Sequence, residues 1–274
     1  MGEPGAPCLL LVMAAYWQGI AWPTGFCERL ASAGFRVIRY DHRDTGQSSV
    51  VDFSKSPYTL ADLADDALAI LDAYDVPQAH VLGASMGGMV AQELALREPS
   101  RLLSLVSLMS TPLSAGYAAG TGPDHLPGPD EVAWKAFSTV PGPGAKPTRD
   151  EYVDGWTAFS RGVAGTISEF DENASRELHG ASFDRAQDIT AVWNHLFATQ
   201  ATPDRIDRLG GLRLPTLVVH GREDHVIPVA HANATADAIP GARLELIGGL
   251  GHQFNSDALV AVAVPILKFL RAVP

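Results

Sequence analysis

The chain has 274 residues, 46% of them hydrophobic, with 19% charged residues and a formal net charge of −11. That length and apolar content suit a globular protein with a sizeable core, and the acidic balance without a Lys/Arg cluster excludes phosphate-backbone binding, so no nucleic-acid partner is expected. No run reaches the length of a membrane span, no basic stretch precedes the first apolar run, and two cysteines, Cys8 and Cys27, make neither a disulfide framework nor a zinc motif. A cytoplasmic protein with free, mostly buried thiols is the expectation.

In chain order, the continuous apolar run over residues 9–13 predicts a strand buried on both faces. Residues 24–33 have helical spacing between Pro23 and Gly34, and residues 35–40 read as a second strand. A loop over residues 41–57 leads to Thr59-Leu60-Ala61-Asp62, a capping box that opens a helix to about Tyr74. Residues 79–82 are predicted as a third strand, 86–97 as a helix, and 102–109 as a fourth strand. Such alternation implies an α/β fold with a mostly parallel sheet and helices on both faces. From about residue 111 to 207 no buried strand is evident. Glycine and proline are dense, and helix-like pieces carry Trp134, Phe137, Tyr152, Trp156, Phe159 and Trp193. The expectation is an inserted helical cap over residues 112–206, flanked by a core of residues 1–111 and 207–274. The rhythm then resumes with a strand over 214–220, a helix near 229–238, a strand over 243–247 and a final helix over 257–271.

Between the third strand and its helix lies Gly83-Ala84-Ser85-Met86-Gly87. A Gly-x-Ser-x-Gly string at a strand-to-helix turn is a nucleophile elbow, in which only residues without bulk fit two places before and after the serine. A serine hydroxyl needs a base, and the base needs a carboxylate to orient it. In a sheet of this kind the order is serine, acid, histidine, with the last two in loops after later strands. Asp224 follows the strand over 214–220 and is the candidate acid, with Glu223 beside it as the alternative; His252, after the strand over 243–247, is the candidate base. Each also has a plain structural reading: Ser85 as a helix N-cap, Asp224 as the cap of the helix after Pro228, His252 as a hydrogen-bonded loop residue. The oxyanion would be held by the backbone N–H of Met86 and by that of Ala14 or Ala15 after the first strand, with Ala15 preferred.

The other histidines are poorer bases: His80 at a strand start, His125, His179 and His195 in the cap, His220 at a strand end, and His225 and His231 flanking the acid loop. His220, Asp224, His225 and His231 match no metal motif with a mechanism, so neither metal nor cofactor is expected. The charged string 39–48 reads as a loop in which Arg43, Asp41 and Asp44 are salt-bridged. The cap aromatics either line an apolar pocket or pack the cap onto the body.

The core, residues 8–111 and 207–271, resembles the alpha/beta-hydrolase superfamily through Gly83–Gly87, Gly221-Arg222-Glu223-Asp224 with Pro228, and Gly251-His252. A narrower likeness, in residues 10–13, Trp22-Pro23 and 39–46, is to the aclacinomycin methylesterase group, which hydrolyses a methyl ester on an anthracycline polyketide. The resemblance implies a serine esterase acting on a small, largely apolar molecule as a monomer or homodimer. Where those relatives carry a glycine pair, Ala14 and Ala15 stand here, and only eight residues precede the run at Leu9, where relatives have a hairpin. Rival readings keep the fold but change the chemistry, to C–C bond hydrolysis, a peroxide-dependent reaction or a cyclisation, or make the chain a non-catalytic binding module.

Overall fold

A computed structural model of the chain describes residues 1–120, 122–123 and 126–273. Six strands form one parallel sheet: β1 (Cys8–Val12), β2 (Arg36–Arg39), β3 (Ala79–Ala84), β4 (Leu102–Leu108), β5 (Thr216–Gly221) and β6 (Arg243–Ile247). They stand in the order β2-β1-β3-β4-β5-β6. The register of the central pairs is direct, Leu10 opposite Val81 and Leu82 opposite Val106. The sheet is therefore wholly parallel, where the sequence predicts it mostly so. At the β2 edge, Met1 takes the place of a neighbouring strand at one point: the Val37 amide donates to the Met1 carbonyl at 2.8 Å, and the Met1 ammonium donates to the Val37 carbonyl at 2.8 Å.

Side chains on β1 alternate between two cores, as a pleat of period two requires. Leu9 and Leu11 pack with helices α1 (Thr24–Ser32) and α10 (Ser256–Leu270). Cys8, Leu10 and Val12 pack on the opposite face with α2 (Leu60–Ala73) and α3 (Met86–Arg97). This is why the run over 9–13 has no polar member. Both cysteines are buried free thiols. Helix α2 opens where the capping box predicts, Asp62 Oδ2 accepting from the Thr59 N–H and Oγ at 2.8 Å each. Strand β1 lies one residue ahead of its expected limits, β3 runs two residues further, β4 ends one residue sooner, and β6 spans the residues expected. β2 is shorter at both ends, and β5 begins at Thr216 because Pro215 has no N–H to give a ladder.

Between β4 and β5 run α4 (Ala115–Ala119), α5 (Glu131–Phe137), α6 (Arg149–Gly162), α7 (Glu172–Arg185) and α8 (Asn194–Gln200), with no strand among the described residues. Helices α6 and α7 pack on each other, and Tyr152, Trp156 and Phe159 join Val226 and Ile227 in a third apolar cluster above the sheet. Helix α9 (Ala230–Ala238) lies between β5 and β6. No helix among the described residues is long and apolar enough to cross a membrane.

In a parallel sheet all strands end on the same edge, so whatever follows β1, β3, β5 and β6 collects there. That edge is where the insert lies.

Candidate active site

Ser85 caps α3 with φ 54° and ψ −122°, a left-handed backbone conformation that costs a non-glycine residue about 1–3 kcal/mol. Its surroundings over-determine it. The Ser85 N–H donates to the Leu108 carbonyl at 2.9 Å, and its carbonyl accepts from Ser110 Oγ at 2.7 Å and from the Gly88 N–H at 2.9 Å. The flanking glycines are required by close approach. A Cβ on Gly83 would collide with the Gly87 carbonyl, and one on Gly87 with the carbonyl oxygens of Val12 and Met13. The first turn of α3 is thereby pressed against the end of β1, which brings Met86 beside the segment that holds Ala14 and Ala15.

His252 follows β6 and points its ring at Ser85: Nε2 lies 3.1 Å from Ser85 Oγ and Nδ1 2.8 Å from Asp224 Oδ2. This network assigns the tautomer, with Nδ1–H donating to the carboxylate and the Nε2 lone pair accepting from the hydroxyl. The other oxygen of Asp224, Oδ1, accepts from the Val226 and Ile227 amides at 2.9 and 2.8 Å. Burial pushes the Asp224 carboxyl up, but the charge and hydrogen bond of His252, with His220 and the Ile227 amide, carry it net below the usual carboxylate range. A charged carboxylate thus sits behind the imidazole.

Glu223, the alternative acid, faces elsewhere. It accepts from the Thr166 N–H at 2.9 Å and from Thr166 Oγ1 at 2.9 Å. Thr166 belongs to a strap after α6 that threads between the acid loop and the histidine loop. The Val163 carbonyl accepts from the His252 N–H at 2.9 Å, Gly165 N–H donates to Gln253 Oε1, and Ile167 N–H donates to the Gly249 carbonyl at 2.8 Å. A Cβ on Gly165 or Gly251 would collide with backbone across this crossing. Nothing in the sequence pattern marks the strap, because its contacts join residues 57 to 89 positions apart.

The segment after β1 is held by two histidines, His195, read above as a poorer base, and His42, which the sequence does not single out. His42 Nε2–H donates to the Met13 carbonyl at 3.0 Å. The Tyr16 N–H donates to His195 Nδ1 at 3.1 Å, while His195 Nε2–H donates to the Arg43 carbonyl at 2.9 Å. Burial, then the neighbouring His42, push His195 down to about 3, and burial lowers His42, so both rings are neutral at neutral pH. Ala14 and Ala15 between these anchors line a cavity of about 50 Å³ with Ser85, His252, Phe137 and Trp156.

His220 is buried, its Nε2–H donating to the Ile227 carbonyl at 2.7 Å, with Asp224 Oδ2 3.5 Å away. His225 pairs with Asp130 at 2.6 Å, and His231 binds Thr111 Oγ1 and the Pro127 carbonyl, so these four residues do not converge on one point. His80 is held by Ser104 and His179 by Ser160. His125 lies outside the described residues. The charged loop after β2 is a correction: Arg43, Asp41 and Asp44 do not pair with one another. Arg43 forks onto Asp66 of α2 at 2.7 and 2.6 Å, Asp41 pairs with Arg185 of α7 at 2.9 Å, and Asp44 accepts from Tyr58 and Asn194. Asp41 and Asp44 also accept from amides of their own loop, those of Gln47 and Val51. The aromatics do both things expected of them: Trp156 and Phe159 are buried in the third cluster and also line the cavity, whereas Trp134 is 60% exposed and does neither.

A wholly parallel sheet, a strained serine on its β3–α3 turn, and an acid and histidine after β5 and β6 define an alpha/beta hydrolase. The chain matches the family described as alpha/beta hydrolase fold over residues 13–258 and belongs to it. It is similar to rhodomycin D methylesterase DauP of Streptomyces sp. (strain C5), at 35% identity over 99% of this chain and 93% of that protein. Rhodomycin D methylesterase DnrP of Streptomyces peucetius is 33% identical over 99% and 93%. A crystal structure of a hydrolase from Pseudomonas aeruginosa PA01 superposes with a TM-score of 0.71 at 28% identity, covering 99% of this chain and 92% of that one.

Proposed function

We propose that the protein is a serine hydrolase of carboxylic esters, with a methyl ester on an apolar, polyketide-like molecule as its substrate class, and that residues 112–206 act as a cap over the reaction site. The observation that carries this reading is the unbroken line Ser85 Oγ–His252–Asp224, at 3.1 and 2.8 Å, at the rim of a cavity that also holds Ala15. The names of the two methylesterase relatives support the choice of bond and substrate class.

In this reaction Ser85 Oγ attacks the ester carbonyl carbon as His252 Nε2 takes its proton. Asp224, charged and buried, stabilises the imidazolium so formed. The negative carbonyl oxygen is held by the Met86 and Ala15 N–H groups, each worth about 3 kcal/mol of barrier in sites of this type. Collapse breaks the C–O bond, and His252 delivers its proton to the leaving methoxide, releasing methanol. Water then attacks the acyl-serine, His252 again accepting a proton, and the second collapse frees the acid and restores Ser85. Alanines at positions 14 and 15 still supply N–H groups, and the anchors at Met13 and Tyr16 supply the fixed backbone that glycines would otherwise need help to hold.

The test is hydrolysis of nitrophenyl acetate and of simple methyl esters by the wild type and Ser85→Ala, with fluorophosphonate labelling read by mass. Loss of activity by at least about 10³-fold and loss of the adduct in Ser85→Ala are expected. A variant that keeps its rate excludes Ser85 as nucleophile.

A further inference from the structure

Three separate voids meet at one side chain, Trp17. On one side is the 50 Å³ reaction cavity with Ser85. On another is a cavity of about 220 Å³ between α7, the turn after β1 and the 252–256 loop, which borders His252 but not Ser85. On the third is a void of about 10 Å³ against Tyr152 and Leu178. Trp17 borders all three, and with Phe254, its ring 5.4 Å away, it stands between the two larger ones. Its other ring contacts are edge-on, to His179 at 5.4 Å and Trp156 at 6.4 Å. Interiors are close-packed, and a side chain with empty space on three sides has lost the contacts that would fix it.

The sizes decide the roles. An engineered cavity of about 150 Å³ holds benzene, so the cavity at Ser85 has room for an ester group and little more, while the outer one takes a body larger than benzene. The outer wall is apolar at Ile20, Phe170 and Leu178, yet it contains Ser175, whose buried Oγ has no hydrogen-bond partner. A buried hydroxyl left unpaired is costly, and a ligand oxygen would satisfy it. Ala174 and Ser256 at the rim are exposed, so this cavity also faces solvent.

Building on the ester-hydrolase reading, we propose that the outer cavity is the substrate-body subsite and entry port, that it takes an apolar ring system bearing a hydrogen-bonding oxygen directed at Ser175, and that Trp17 sets how large a body can bring its ester group to Ser85. The ester group crosses the Trp17–Phe254 partition into the inner cavity, and the body remains outside it. Trp17 is therefore the specificity-determining residue.

The experiment compares kcat/KM for methyl 6-hydroxy-2-naphthoate, methyl 2-naphthoate and methyl acetate in the wild type, Trp17→Ala, Ala174→Trp and Ser175→Ala, each checked for folding by circular dichroism. The ratio of hydroxynaphthoate to acetate should rise about tenfold in Trp17→Ala and fall about tenfold in Ala174→Trp, a pocket-sized discrimination. Ser175→Ala should erase the preference for hydroxynaphthoate over naphthoate. A ratio that stays put, or moves the other way, in either Trp17→Ala or Ala174→Trp overturns the proposal; so does a hydroxyl preference that survives Ser175→Ala. Should the wild type hydrolyse no ester at all, the function reading fails by itself. The cavity is then read by calorimetry with 2-naphthol, where binding to the wild type that is lost in Ala174→Trp supports the subsite. No binding, or equal binding to both proteins, overturns it.

Discussion

The loops at the sheet edge and the aromatic face of the insert meet around the same cavity but are built in opposite ways. At the edge, Ser85, Asp224 and His252 are each fixed by two or more hydrogen bonds, mostly to backbone, and glycines allow chain to touch chain. On the insert side, Phe137, Trp156 and Phe159 meet one another at ring distances of 4.8 to 5.4 Å, with voids between them and the edge. Rigid backbone suits groups whose function depends on tenths of an ångström, whereas rings with space around them suit the recognition of an apolar body.

The comparison breaks most sharply at the acid. Asp224→Asn keeps an oxygen for the Val226 and Ile227 amides but offers His252 the wrong partner, so kcat is expected to fall by about 10⁴-fold with the fold retained. Its neighbour is the control. Glu223→Gln keeps an acceptor for Thr166 and should change kcat by less than about tenfold; rates that reverse this order would make Glu223 the acid.

Next in size is the backbone crossing. Gly165→Ala forces a Cβ into the Gly249–Gly251 turn and should destabilise by about 1–3 kcal/mol, seen as a lower denaturant midpoint. The change should also lower kcat, since the same strap holds the His252 amide. On the softer side, Phe137→Ala, half-buried at the cavity rim, should cost no more than about 1.5 kcal/mol in stability and act on KM.

Mild acid acts on the insert side through two buried histidines. Burial pushes His179 down to about 4 and His195 to about 3, against 6.5 for a free histidine. Below pH 6.5 the unfolded chain binds protons that the folded chain refuses, so stability is greatest above 6.5 and declines as pH falls toward 4. Each of the two contributes up to about 1.4 kcal/mol per pH unit, and thermal unfolding midpoints across that window measure it. His179→Gln and His195→Gln should each flatten the slope.

Much of the fold was readable because parallel strands buried on both faces leave continuous apolar runs, as at residues 9–13 and 217–219, and because Thr59 and Asp62 carry their capping chemistry three residues apart. The positions of Ser85, Asp224 and His252 after β3, β5 and β6 were readable for the same reason: the elbow needs its glycines locally, and strand ends share an edge. What was not readable depends on partners distant in the chain. The partners of Arg43 and Asp41 lie on α2 and α7, and those of Met13 and Tyr16 are imidazoles 29 and 179 residues away. No spacing rule reports such pairs. The aromatics were visible as residues but their arrangement was not, since ring packing leaves no period.

The bond from Tyr16 to His195 has a consequence for how such a protein can be remodelled. Its acceptor is carried by α8, at the far end of the insert, so the insert also braces the turn after β1 that carries Ala15. Transplanting the corresponding helices from another hydrolase would strip that brace unless an imidazole arrived at the same place. New preferences in this scaffold are therefore reached through single changes among the rings, with α8 left in place, rather than by wholesale exchange.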